Sequence, residues 1–266
     1  MRVAALKAIS AFVSSINDSK VALEFSKVLP LLLNVIVEAL HQDEDQGRQA
    51  LESLAELTTA HPQCWKDLTS SLINVSAQIA QQKTFEDGTR SAAIEVVLAL
   101  SGAMPASIRK AAETGTLFFP TLVQMLTEGT SDDSEWQSQA EDLDKLSTDT
   151  VSTAASSISR LAEDLGEKKT LEFCKPIIQE CVRSEEPQKR QAGHTLIGLI
   201  VETCKKSFAG GLEDAMKMAS SGVQDSNLRV RHAALGTMAT LMEHLCPYVQ
   251  VKYHQELMPV LGRLMI

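Results

Sequence analysis

Apolar residues recur at helical spacing along nearly the whole chain, and the pattern breaks at glycine, proline or acidic clusters. One segment returns again and again. Arg229-Val230-Arg231-His232-Ala233-Ala234-Leu235 opens on basic residues, passes through two alanines and continues with apolar Leu235, Met238 and Leu241. The same grammar runs from Arg2 to Phe12, from Arg48 to Leu57 and from Arg90 to Leu100, with weaker copies from Thr153 to Leu161 and from Arg190 to Leu199. Aligned on the position of Leu235, the copies fall at Leu6, Leu51, Ile94, Ala155, Gly193 and Leu235, at intervals of 45, 43, 61, 38 and 42 residues. A helix that often carries an early proline (Pro30, Pro120, Pro176, Pro259) precedes most copies. Short acidic turns such as Asp43-Glu44-Asp45, Asp87-Gly88, Glu185-Glu186-Pro187 and Asp225-Ser226-Asn227 join the two helices.

Four of the five intervals lie close to the roughly 40–47-residue period of two-helix HEAT repeats. The fifth is too long by about one segment and marks an insertion. The prediction is an all-α fold, a right-handed α-solenoid of about six HEAT repeats running as a single superhelix over residues 1–266. The acidic insertion falls near 128–149. Paired alanines allow close helix approach, and the Asp-to-Arg spacing predicts ion pairs between neighbouring repeats. With an unpartnered helix at each end and no polar cap, the chain reads as a fragment of a longer array.

Composition narrows the function classes. Of 266 residues 44% are hydrophobic and only 4% aromatic, which argues against a sandwich or barrel. The net charge of -9 excludes a general nucleic-acid binder, whose phosphate contacts need a basic face, and favours basic partners. Five scattered cysteines form no disulfide framework and read as reduced thiols. The chain opens straight into an amphipathic pattern, and its longest apolar stretch, Val28 to Leu40, is too short to span a bilayer. A protein with no membrane segment is expected.

Three blocks of the chain resemble the importin-β (karyopherin-β) superfamily, in the branch holding importins four and five. They are Gly47 to Leu57 ending at His61-Pro62; Arg90 to Ser101 with Phe119 to Leu126 and an acidic stretch bearing Trp136; and Arg183 to Gly193 continuing to Leu228–Gly236 and His254–Pro259. The resemblance implies a piece of the amino-terminal half of a nuclear import receptor. Such a receptor takes basic cargo, histones or ribosomal proteins among them, and releases it when Ran-GTP binds. It also implies nucleoporin contacts and shuttling between cytoplasm and nucleus. The alternative from another class is a HEAT-repeat structural scaffold, of the phosphatase or cytoskeletal kind.

Two groups of residues are candidates for binding protein. The first is the insertion. From Glu128 to Asp149 it carries eight acids against the single Lys145, and it reads as a mobile loop. Asp132, Asp133, Glu135, Trp136, Glu141, Asp142 and Asp144 are its candidates, since loops that interrupt a scaffold often carry function. The second group lies just after the anchors and four residues further on. There Glu52, Glu56 and Glu95 would set adjacent carboxylates on successive helices, on a face that also includes Lys7, Arg160 and His194. No catalytic motif emerges: there is no G-x-S-x-G, P-loop or H-E-x-x-H. His61-x-x-Cys64 and His244-x-Cys246 lack companion pairs at zinc spacing, and Asp43 to Leu54 fails as a calcium loop. No enzyme activity, cofactor or metal is expected.

Overall fold

The computed structural model describes residues 2–129 and 150–264. Among them there are helices and turns and no strand. The α-helices, in chain order, are α1 (Arg2–Ser14), α2 (Ser19–Glu24), α3 (Leu29–Gln42), α4 (Glu44–Ala60), α5 (Thr69–Gln81), α6 (Asp87–Ala103), α7 (Pro105–Lys110), α8 (Phe119–Leu126), α9 (Thr150–Leu165), α10 (Glu167–Cys181), α11 (Pro187–Ile200), α12 (Lys205–Gly210), α13 (Leu212–Val223), α14 (Leu228–His244) and α15 (Tyr248–Leu264). They gather into two compact units, Met1–Leu165 and Gly166–Ile266.

In the first unit α3 pairs with α4, α5 with α6 and α8 with α9, while α1, α4, α6 and α9 pack side by side as the second helices of successive hairpins. In the second unit α10 pairs with α11 and α13 with α14, and α11 lies against α14. Each of the six anchors therefore sits in its own second helix. The helix starts follow local chemistry. Asp43 caps α4 by accepting from the Gln46 amide at 3.1 Å, with Glu44 and Asp45 in the first turn. Asn227 caps α14 by accepting from Arg229 and Val230. Pro30 and Pro120 stand at the starts of α3 and α8, where a missing amide proton is harmless. Pro176 and Pro259 depart from the expected pattern, for they lie inside α10 and α15, which begin well upstream at Glu167 and Tyr248.

Packing follows from the interleaving of large and small residues. Helix α6 has α4, α5 and α9 as neighbours and buries Ala93, Ile94, Val96, Val97, Leu98 and Leu100, so its sequence is apolar nearly all round. Leu51, Leu54, Trp65, Ile73 and Phe118 complete the core of the first unit. Leu196, Ile197, Ile200, Ala219, Ala234 and Leu241 form that of the second. Each fully buried leucine or isoleucine contributes about 1.5–3 kcal/mol. Gly193, the weakest anchor, is explained here. A Cβ at that position would come within 2.8 Å of the Cys181 Cβ, so only glycine lets α11 approach α10 this closely.

Candidate functional site

Glu52 and Glu56 stand one turn apart on α4, and both are exposed. Glu95 occupies the equivalent place on the neighbouring α6. Its carboxylate is not free. Arg160, one helix further along on α9, meets it with both terminal nitrogens, at 2.7 and 2.9 Å. The hydrogen bonds it donates to Glu95 raise the Arg160 guanidinium above its ordinary value, and the two opposite charges offset each other. Lys7 on α1 donates to Gln49 and leaves the glutamates alone. The face of the first unit thus offers two open carboxylates and one closed ion pair, where the spacing suggested three open carboxylates. Both members of that pair hold positions singled out in the anchor frame, and opposite charges on adjacent second helices were the available signal.

The frame slips in the second unit. His194, expected on the same face, is buried beneath α13 and α14 instead. Arg190 matches Arg90 in helix position, so His194, four residues on, is the equivalent of the buried Ile94, and the anchor at Gly193 stands one residue early. The imidazole packs where a Cβ on Gly222 would lie only 2.3 Å from its Nε2, and burial holds its pKa below the ordinary value, favouring the neutral ring.

Of the insertion, Asp132, Asp133, Glu135, Trp136, Glu141, Asp142 and Asp144 lie outside the described residues. Glu128 is described, and it does not belong to a solvated acidic run. Its side chain is nine-tenths buried, with Oε2 2.8 Å from Arg90 Nη1 and Oε1 3.5 Å from Lys83 Nζ. The reason is its place just beyond the end of α8, where a regular repeat also puts an acid facing the preceding repeat's arginine. The predicted ion pairs between repeats occur. Arg190 grips both oxygens of Asp225 at 2.7 and 2.9 Å, and Arg48 lies 3.7 Å from Glu86.

Four of the five cysteines are packed rather than poised, and Cys246 is exposed. Burial raises the thiols of Cys64, Cys174 and Cys181 and pushes Cys204 up to about 12, which suppresses the reactive thiolate. Cys64, in the His61 pair, lies against the Ala22 carbonyl at 3.4 Å. Among the described residues no group of three or more His, Cys, Asp and Glu could hold a metal. No helix there is long and apolar enough to cross a membrane.

Repeated two-helix hairpins, with a basic residue early in most of the second helices and small residues where the helices touch, define a HEAT-repeat protein. Residues 1–75 match the family profile described as IPO5-like, TPR repeats, and residues 82–172 match that described as importin repeat, so together they cover more than half of the chain. The chain is 25% identical over 263 residues to importin subunit beta-3 of Saccharomyces cerevisiae, spanning 96% of this chain and 24% of that one. It is 23% identical over 243 residues to human importin-4, spanning 88% and 22%. The solved structure of Kap121p superposes with a TM-score of 0.89 at 22% identity, over 97% of this chain and 26% of that one. Kap121p has also been solved bound to RanGTP, to Pho4p and to Nup53p. The chain is similar to importin-β family members over nearly its whole length, and its fold is the all-α HEAT-repeat solenoid of Kap121p. It spans about a quarter of the length of the relatives it matches.

Proposed function

We propose that this chain is part of a nuclear import receptor and that it contributes an acidic surface for basic segments of cargo proteins. The observation that carries the reading is the pair of exposed carboxylates, Glu52 and Glu56, on a second helix of an importin-family array whose next repeats carry an acid-rich insertion. Carboxylates set one helical turn apart suit lysine and arginine side chains. Asp132, Asp133, Glu135, Glu141, Asp142 and Asp144 would add attraction over longer range, with Trp136 available to stack on a guanidinium. In this reading Glu95 contributes only when Arg160 lets go of it. The solved Kap121p complexes lend support, because they include Pho4p, Nup53p and RanGTP. The full-length receptor would accordingly bind cargo, release it under Ran control, touch nucleoporins and shuttle between cytoplasm and nucleus. It works as a binding protein, with no catalytic step and no cofactor.

The test is a titration of a lysine- and arginine-rich peptide, such as a histone tail, into the wild-type chain at two salt concentrations. The same titration is run on variants with Glu52 and Glu56 changed to Gln, and with the six acids of the insertion changed to Asn or Gln. Each neutralised set should bind more weakly and show a shallower salt dependence, because exposed charges act over about 8 Å at physiological ionic strength. Affinity and salt slope identical to wild type in both variants would refute the proposal.

A further inference from the structure

Arg90 stands at the fourth position of α6, and its side chain is only 4% exposed. Its Nε donates to the Ala80 carbonyl near the end of α5 at 2.7 Å. Its Nη1 lies 2.8 Å from Glu128 Oε2 and 3.4 Å from the Thr150 hydroxyl. Thr150 donates in turn to Asp87 Oδ1 at 2.5 Å, and Asp87 is 3.7 Å from the same Nη1. Glu128 lies just before residues 130–149 and Thr150 just after them. One buried guanidinium therefore touches the chain on both sides of the insertion.

The regular repeats explain the placement. Arg190 is also the fourth residue of its helix, and its partner Asp225 is the residue after the C-cap of α13, Gln224. Glu128 is likewise the residue after the C-cap of α8, Thr127. The acid of the ordinary turn has been kept in register, and the additional residues follow it. Helix α9 is then held along its whole length. Ser91 donates to Thr153 at 3.3 Å, Glu95 pairs with Arg160, and Arg109 donates to the Asp164 and Leu165 carbonyls at 2.6 and 2.9 Å. A long connection restricts its ends weakly, so register between α6 and α9 has to come from contacts of this kind.

We propose that Arg90 is a positioning residue. With Glu128, Asp87 and Thr150 it fixes the described chain on either side of residues 130–149, at Glu128–Gly129 and at Thr150. A buried cation and carboxylate are each costly to leave unpaired, which keeps the two points together. The effect on the stack stands by itself, whereas any effect on cargo acts through the acids of residues 130–149 and rests on the function proposed above.

Hydrogen exchange followed by mass spectrometry on the whole chain tests it. Arg90→Gln should speed exchange at residues 124–129 and at 150–154 by tenfold or more, leaving α4 within twofold of wild type. Unchanged exchange at both places, or equal acceleration throughout the first unit, overturns the proposal, the latter because it marks an ordinary core residue. If Arg90→Gln does not fold, two variants that keep the guanidinium decide the matter. Glu128→Gln should loosen chiefly 124–129 and Thr150→Val chiefly 150–154, and no local change in either overturns it. A second readout is the association rate with a lysine- and arginine-rich peptide at low salt. Arg90→Gln should slow it two- to fivefold in the wild-type background and leave it unchanged once the six acids of the insertion are neutralised. Slowing by the same factor in both backgrounds overturns the positioning role. Should neutralising the acids alone change nothing, the cargo reading fails, and the exchange pattern still decides for or against the clamp.

Discussion

Arg90 and Arg190 occupy the same position of equivalent helices and face an acid in the same register, yet they bind differently. Arg190 spends Nε and Nη2 on the two oxygens of Asp225, and its Nη1 takes the carbonyls of Ser184 and Glu185 in its own turn. Arg231 takes the carbonyls of Asp225 and Ser226 in the same way, so the regular turn of the second unit is tied from both sides. Arg90 divides its nitrogens among Ala80, Glu128 and Thr150, each by a single contact, and its Nη2 is buried without a hydrogen-bond partner among the described residues. A turn of three or four residues lets one carboxylate meet the guanidinium fork squarely. Where the connection is lengthened, the arginine must also hold the returning strand of chain, and matched geometry is given up for reach. The repeat tolerates an insertion because its arginine has more donors than one acid can use.

The most damaging change should be Arg190→Ala. It leaves Asp225, which is 13% exposed, without its cation, and should destabilise the second unit by about 3 kcal/mol in urea unfolding. Arg190→Lys keeps the charge and loses the fork, so an intermediate loss is expected. A loss below about 1 kcal/mol for Arg190→Ala would put the pair among ordinary surface ion pairs and end the contrast with Arg90.

Next in size is Gly222→Ala, whose Cβ would press on His194 and come within 2.7 Å of the Ala234 Cβ. Overpacking of this kind costs about 1–3 kcal/mol. Part of it should be recovered in a His194→Ala background, because Ala234 still crowds the site. Thermal unfolding of the four combinations measures the coupling, and strict additivity would mean that the ring is not the obstacle.

Acid should strain the second unit in two separate windows. The buried His194 has a folded pKa below its ordinary 6.5, so the unfolded chain binds the proton first. Stability should therefore begin to fall as the pH drops through about 6.5, and His194→Gln should flatten that limb. Asp225 is held below its ordinary 3.8 by the hydrogen bonds from Arg190. Its contribution is present above that value and is lost as the pH falls further, through the depressed value. Melting curves between pH 3 and 8 resolve the two limbs, and a flat response between 7 and 5 would contradict the placement of His194.

The smallest effect belongs to the exposed pair. Arg160→Ala frees Glu95 and should tighten a lysine- and arginine-rich peptide by no more than about fivefold, with Glu95→Gln nearly silent in the wild-type chain. Weaker binding by Arg160→Ala would mean that the arginine, rather than the glutamate, faces the ligand.

Much of this was legible residue by residue. The six anchors, Asp43 and Asn227 as caps, Pro30 and Pro120 at helix starts, and the alternation of arginine with turn acids are local features, set by a few neighbouring residues. Glu52 and Glu56 were also readable as exposed, since helical spacing places them opposite the apolar stripe. Errors arose where two helices must fit. Counting from Gly193 puts His194 on the open face, but four residues beyond Arg190, as Ile94 is beyond Arg90, it is the buried position itself, and only the packing of α11 shows which residue of Gly193-His194 carries the register. A proline signals a helix boundary, yet at Pro176 and Pro259 the upstream residues carry the helix through regardless.

The class and the rhythm of this protein are written locally along the chain: helices, their period, their turns and the place of the lengthened connection. Those follow from interactions within a few residues of one another, and hydrophobic spacing records them directly. Which charges are open and which are spent was decided only by the tertiary structure. Glu95 and Arg160 are 65 residues apart, Arg90 and Thr150 are 60 apart, and Arg190 and Asp225 are 35 apart. Their pairing depends on how far one helix slides and turns against the next. That offset is set by the packing of buried side chains such as Ile94, Ile158 and Leu161, whose sizes the hydrophobic pattern does not distinguish.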